Sequence, residues 1–248
     1  MKAASPPRQI VATDPAALAV VAAERLMARI AANAGRIAIC LTGGSSPKQL
    51  YQLLASERYA SRIPWDRMHW FIGDERFVGP SDPLNNMGIA RSIFLDRLAP
   101  QGHVHPIPTG AATPGDAAQA YERELQSYYG ASALEPARPL FDLVLMGVGP
   151  DGHTASLFPG DPALAETARW VTAVAKANVA PFVPRVTLTL PALASCHEML
   201  FGIAGKEKHA ILTRLLAGEN LPANRARSMG ETVFLMDEAA FGGEPLER

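Results

Sequence analysis

The sequence predicts a single-domain α/β fold built on a mainly parallel sheet with helices on both faces. Short apolar runs of strand length alternate with stretches whose apolar residues recur at helical spacing. The strand runs are apolar almost throughout rather than at every second residue, the pattern of strands covered on both faces. Gly-rich turns follow these runs repeatedly, and no internal repeat or low-complexity linker divides the chain.

The elements follow in order. Asp14 is placed to cap a helix beginning at Pro15, with Gly35 expected to end it in the left-handed conformation. Leu18, Val21, Ala22, Leu26 and Ile30 form its apolar stripe. A strand is expected over Ile37–Leu41, then the turn Thr42-Gly43-Gly44-Ser45-Ser46 into a helix opening at Pro47, with Leu50, Leu53 and Leu54 inward. His69–Ile72 reads as a strand, Gly73–Arg76 as the turn after it, and Asn86–Leu98 as a helix. Thr113 and Pro114 open another helix, which Gly130 ends. Phe141–Met146 is an apolar strand leading into Gly147-Val148-Gly149-Pro150-Asp151-Gly152-His153. Further strands are expected at Val171–Ala175, Val186–Leu190, Met199–Ala204 and Val233–Met236, with a helix over Lys206–Leu216. Residues 1–8, polar with two prolines, read as a flexible tail ahead of a domain spanning 9–248.

Composition narrows the function. Of 248 residues, 48% are hydrophobic and 19% charged, which excludes disorder for most of the length. The 23 Lys and Arg nearly cancel the 24 Asp and Glu, so no overall basic field addresses nucleic acid or an anionic membrane. A small anionic ligand needs only a few local cations and stays open. Cys40 and Cys196 lie among apolar residues and read as buried thiols of a reducing compartment. With no apolar leader segment and no run of 18 apolar residues, a cytoplasmic protein is expected.

Ligands of an open parallel sheet bind beyond the carboxyl ends of its strands. Three polar clusters fall at such ends: Thr42–Ser46, Gly73–Arg76 and Gly147–His153. The first is a glycine turn entering a helix, suited to a phosphate although it lacks Walker A spacing. It can equally be a plain turn with Ser46 as cap. Residues 147–152 match G-x-G-x-x-G, but mid-chain, stiffened by Pro150, and with no acidic residue ending the next strand. A dinucleotide fold is therefore set aside. His153, in a Gly-rich turn beside Asp151, suits a general base, or a structural imidazole bonded to backbone. Asp74-Glu75-Arg76 reads as a site segment or a surface ion-pair turn. The pair His103-x-His105 is crowded by Pro106 and Pro108 and lacks a third ligand, so no metal is expected. No G-x-S-x-G occurs to suggest a serine hydrolase.

Taken together, LTGGSSPKQLYQLL (41–54), WDRMHWFIGDERFV (65–78), FDLVLMGVGPDGHTASLFPG (141–160), RVTLTLPAL (185–193), GKEK (205–208) and LPANR (221–225) resemble the 6-phosphogluconolactonase family, within the larger glucosamine-6-phosphate isomerase/6-phosphogluconolactonase group. GPDGHTASLFPG is the most specific of these segments. The resemblance implies a three-layer αβα sandwich and hydrolysis of 6-phospho-D-glucono-1,5-lactone to 6-phosphogluconate in the oxidative pentose phosphate pathway, without a cofactor. It implies His153 as base, Asp74 and Arg76 lining the site, and Gly43, Gly44 and Ser45 cradling the phosphate with Arg185 nearby. Asp151 or Asp74 orients the imidazole, a choice the sequence leaves open. One position departs from the family pattern: Ala180 stands where a Lys is usual, five residues before Arg185, which shifts phosphate binding toward Arg185, Arg76 and Lys208. A monomer or weak homo-oligomer is expected. A glucosamine-6-phosphate deaminase/isomerase is the neighbouring reading, disfavoured by HTASLFP and by Arg76. A non-catalytic sugar-phosphate sensor is the other, disfavoured because His153 is present and no helix-turn-helix extension precedes the domain.

Overall fold

A computed structural model describes residues 6–44 and 46–242. In chain order the strands are β1 (Arg8–Ala12), β2 (Ile37–Leu41), β3 (Met68–Ile72), β4 (Asp74–Arg76), β5 (Phe141–Met146), β6 (Val171–Val174), β7 (Arg185–Leu188), β8 (Cys196–Ile203) and β9 (Glu231–Asp237). The helices are α1 (Pro15–Ala32), α2 (Pro47–Leu54), α3 (Glu57–Ala60), α4 (Asn86–Ala90), α5 (Asp96–Leu98), α6 (Pro114–Tyr129), α7 (Leu190–Ala194), α8 (His209–Leu216), α9 (Pro222–Arg225) and α10 (Glu238–Phe241). A π-helical turn, Arg91–Leu95, joins α4 to α5, so the expected single helix over 86–98 is one continuous but irregular element.

Six strands form a wholly parallel sheet in the order β1-β9-β8-β5-β2-β3, flanked by helices. From β2 the chain first moves outward to β3, then returns to lay β5 on the other side of β2. The order therefore reverses between β2 and β5, and a crevice opens beyond the carboxyl ends of these two strands. Both are buried along their whole length, and the chemistry-bearing turns leave from their ends.

Several expectations need correction. The strand β1 begins at Arg8 and pairs in parallel with β9, so the end of the expected tail is part of the sheet; residues 1–5 lie outside the described residues. It went unread because it is a short edge strand with mostly exposed side chains, lacking the apolar run that marked the others. The helix α1 ends at Asn33, in extended conformation, rather than at a left-handed Gly35. The Asn33 side chain donates to the Arg36 carbonyl (2.9 Å) and to Asp142 Oδ1 (2.8 Å), turning the chain into β2 without a positive φ. The segments over 171–175 and 186–190 do not join the parallel sheet. With β4 they form a separate antiparallel sheet, β4-β7-β6. Leu190 heads α7 instead of ending a strand, because Pro191 has no N–H to give a ladder but suits the first turn of a helix.

No helix among the described residues is long and apolar enough to cross a membrane.

Candidate active site

The glycine turn after β2 is held from below. Tyr51 on α2 donates its hydroxyl to the Thr42 carbonyl (2.7 Å) and accepts the Thr42 N–H (3.2 Å). Gly44 has φ +98°, a conformation that favours glycine. Gly43 is needed for a different reason: a Cβ there would overlap the side-chain amide of Asn86. Ser45 lies outside the described residues. Ser46 is helical and makes no capping hydrogen bond, so the plain-cap reading of this turn does not hold.

The segment expected as a turn over 73–76 is instead the strand β4. Gly73 still donates to Leu41 of the parallel sheet (3.0 Å), and its carbonyl accepts from Leu188 (2.8 Å). From there the chain crosses to the small sheet, where Asp74 faces Thr187 and Arg76 faces Arg185 in antiparallel register. Asp74 is buried; its Oδ2 accepts from the Ser156 hydroxyl (2.6 Å), and its carbonyl accepts from Asn86 Nδ2 (3.0 Å). Arg76 donates through Nη1 to the Leu84 carbonyl (2.9 Å).

The turn after β5 presents His153. Gly149 donates to the His153 carbonyl (2.9 Å) and Gly152, at φ +85°, donates to the Gly149 carbonyl (3.0 Å), closing a tight loop. A Cβ on Gly149 would overlap the imidazole, so this glycine is what lets the ring fold across its own loop. Phe158 packs on the ring with centroids 4.7 Å apart. Asp151 Oδ1 lies 2.5 Å from His153 Nδ1 and also accepts the His153 backbone N–H at 3.1 Å. Of the two carboxylates left open by the sequence, Asp151 contacts the imidazole; Asp74 is occupied with Ser156. An acceptor at Nδ1 places the ring proton there and leaves Nε2 with its lone pair. Downstream, Ala155 adopts φ +47°, uncommon for a residue with a Cβ.

These elements surround one cavity of about 230 Å³. Its wall includes Gly43, Gly44, Asp74, Arg76, His153 and Lys208, and also Asn86 and Ala155. Lys208, in the turn between β8 and α8, donates to the Val148 carbonyl (2.7 Å), which ties the β8 end to the β5 loop. Asp151 and Arg185 are set behind the wall. Arg185 is only 3% exposed; its Nη2 donates to the Pro181 carbonyl (2.7 Å), while Nε and Nη1 are buried without a hydrogen-bond partner. Burial, reinforced by the like charge of Arg76, pushes the guanidinium below its usual value. Asp74 and Glu75 partly oppose this shift without hydrogen-bonding the guanidinium, so two donors on the buried cation stay open to an anion.

The His103-x-His105 pair lies elsewhere, packed against His69 of β3. His105 Nε2 is 3.0 Å from His69 Nδ1 and its Nδ1 is 2.6 Å from Glu124, and His103 stacks on His69 at 4.2 Å between centroids. Burial and the two neighbouring imidazoles lower His69 to about 4.

Sequence reading missed Asn86. The available signal was the doublet Asn85-Asn86 at a helix start, where one Asn suffices as cap. Asn85 takes that role, its Oδ1 accepting from Gly88 (2.7 Å), which frees Asn86 for the cavity.

Comparison with known proteins finds relatives over nearly the whole chain. Residues 13–234 match the family described as glucosamine-6-phosphate isomerases/6-phosphogluconolactonase. A 6-phosphogluconolactonase of Synechocystis is 37% identical over 227 residues, covering 90% of each chain. One from Nostoc is 38% identical over 211 residues, covering 83% of this chain and 84% of its own. Among solved structures, the 6-phosphogluconolactonase from Trypanosoma cruzi superposes with a TM-score of 0.86 at 30% identity, covering 99% of both chains.

Proposed function

This chain belongs to the glucosamine-6-phosphate isomerase/6-phosphogluconolactonase family, and we propose that it hydrolyses 6-phospho-D-glucono-1,5-lactone to 6-phosphogluconate with His153 as general base. The observation that carries the reading is the Asp151–His153 pair at the wall of a cavity that also holds the Gly43–Gly44 turn. A lactone carbonyl is already electrophilic and its leaving group is an alcohol, so one water and one base suffice. His153 Nε2 takes a proton from water as the oxygen bonds to C1. The tetrahedral intermediate then collapses, the bond from C1 to the ring oxygen breaks, and the imidazolium returns the proton to that oxygen. Asp151 holds the ring and balances its transient charge; Asp74, fixed by Ser156, completes the polar wall. Backbone N–H groups of the cavity wall stabilise the oxyanion that develops at C1, and Arg76 serves the phosphate.

The phosphate is assigned to the turn Gly43-Gly44-Ser45, with Lys208 and the unpaired donors of Arg185 behind Arg76. A planar guanidinium with two free donors suits a phosphate oxygen pair. Ala180 supplies no second cation beside Arg185. No cofactor is assigned. A cytoplasmic monomer or weak homo-oligomer that acts on this small molecule, rather than on nucleic acid or a membrane, completes the reading.

The test is hydrolysis of freshly generated 6-phosphogluconolactone, after dialysis against EDTA, alongside ammonia release from glucosamine 6-phosphate. Lactone loss well above the spontaneous rate with no ammonia is expected. Ammonia release without lactone loss assigns the chain to the deaminase branch, and abolition by EDTA with rescue by a divalent ion refutes the metal-free mechanism.

A further inference from the structure

Glu75 sits between two residues of the cavity wall, yet the mechanism gives it no task. It is fully buried, and its described partners are backbone N–H groups rather than a cation. Oε1 accepts from Arg76 (2.9 Å) and Asn86 (2.7 Å), and Oε2 accepts from Met87 (2.9 Å). Burial outweighs these donors and raises the carboxyl to about 7. Asn85 caps the Gly88 N–H of α4 while Glu75 takes those of Asn86 and Met87, a task that a neutral acceptor serves at lower desolvation cost. What Glu75 adds is a link between elements: β4, which carries Arg76, is tied to α4, which carries Asn86. Asn86 in turn donates to the Asp74 carbonyl and occupies the space a side chain on Gly43 would need, with its Oδ1 buried and unpartnered.

We propose that Glu75 is a positioning residue for the substrate phosphate: its carboxylate holds Arg76 and Asn86 at a fixed spacing and, through Asn86, sets the Gly43–Gly44 turn against the cationic wall. Glu75 does not touch the substrate. The proposal rests on the lactonase reading and on the assignment of the phosphate to that turn.

Glu75→Gln is the test, because it exchanges one acceptor oxygen for an NH2 that must face a backbone N–H. With the full chain, KM for 6-phosphogluconolactone is expected to rise about 10–100-fold, the scale of a misplaced binding group. The kcat should stay within about threefold and kcat/KM on unphosphorylated gluconolactone should barely move. Asn86→Ala leaves the three backbone donors in place and should give the same shift; the double variant should add little, since both act on one link. If Glu75→Gln fails to fold, Glu75→Asp, which keeps the charge but shortens its reach to the same backbone donors, takes its place in the comparison of the two lactones. Equal losses on both lactones, or an unchanged KM for the phosphorylated one, overturn the proposal. If wild type hydrolyses neither lactone, the functional reading fails instead, and amide exchange decides the positioning claim. Glu75→Gln must then speed exchange at Gly43 and Gly44 as well as at Asn86 and Met87; unchanged exchange at the glycines overturns it.

Discussion

The two sheets of this molecule bury polar residues in different proportion: Asp142, Glu198, Thr232 and Asp237 are spread over six parallel strands, whereas Asp74, Glu75, Arg185 and Thr187 crowd three short antiparallel ones. In the parallel sheet, β2 is apolar throughout and β5 carries one carboxylate, Asp142, satisfied by the Ala38 N–H and the Asn33 amide. Removing Leu143 or Ile39 from water stabilises the fold by roughly 1.5–3 kcal/mol per side chain. Removing a carboxylate or guanidinium from water costs free energy that the sheet hydrogen bonds only partly offset. The large sheet therefore supplies the stability, and the small sheet uses part of it to hold charge beside the cavity. His153 bridges the two, hanging from the end of the apolar strand β5 and facing the polar wall.

Mutations should separate these duties. The largest effect is expected at His153: His153→Ala should lower kcat on 6-phosphogluconolactone by about 10²–10⁴ and leave the unfolding transition close to wild type. A normally folded variant that keeps most of its activity removes His153 from the base role. Next is the scaffold itself. Leu143 is fully buried at the centre of β5, so Leu143→Ala should cost about 2–5 kcal/mol in urea unfolding while kcat/KM of the folded fraction changes little. A kinetic loss without a stability loss would reverse the proposed division of labour.

Arg185→Ala comes third. Losing a charge-assisted hydrogen bond to phosphate costs roughly 1.5–3 kcal/mol, or about 10–150-fold in kcat/KM on the phosphorylated lactone. Had Arg185 merely paired with a surface carboxylate, about 0–1 kcal/mol of stability would be at stake and substrate discrimination would not move.

The smallest effect sharpens the contrast through pH. The Glu75 carboxyl is raised by burial from the ordinary 4.5 to about 7. A raised folded value means that its contribution to stability is fully present below the unfolded value and is lost as pH rises through about 7. Wild type should therefore lose stability relative to Glu75→Gln between pH 5 and 8, no faster than about 1.4 kcal/mol per pH unit. Urea midpoints of the two proteins at several pH values check this; a constant offset would show that Glu75 ionises like an exposed carboxylate.

The same contrast explains how much was readable beforehand. The parallel strands other than β1, their order of Gly-rich turns, and both His153 and the glycine turn are legible, because apolar runs and turn chemistry are local signals. Convergence of the Thr42 and Gly147 clusters followed from where a parallel sheet binds its ligands. The small sheet was not legible. Three- and four-residue strands such as Asp74–Arg76 and Val171–Val174 look the same in parallel and antiparallel pairing, and Asp-Glu-Arg reads as a turn when its burial depends on β7, over a hundred residues later. Asn86 was hidden for a related reason: its value lies in touching Gly43, a contact between elements that no spacing within the chain announces.

The division between the two sheets is tested most directly by one ratio, kcat/KM on 6-phosphogluconolactone over kcat/KM on gluconolactone, measured side by side for wild type, His153→Ala and Arg185→Ala. If His153 performs chemistry common to both lactones, His153→Ala lowers both values and leaves the ratio within about threefold. If Arg185 reads the phosphate, Arg185→Ala collapses the ratio by about 10–150-fold. A ratio that survives in Arg185→Ala, or collapses in His153→Ala, contradicts the account.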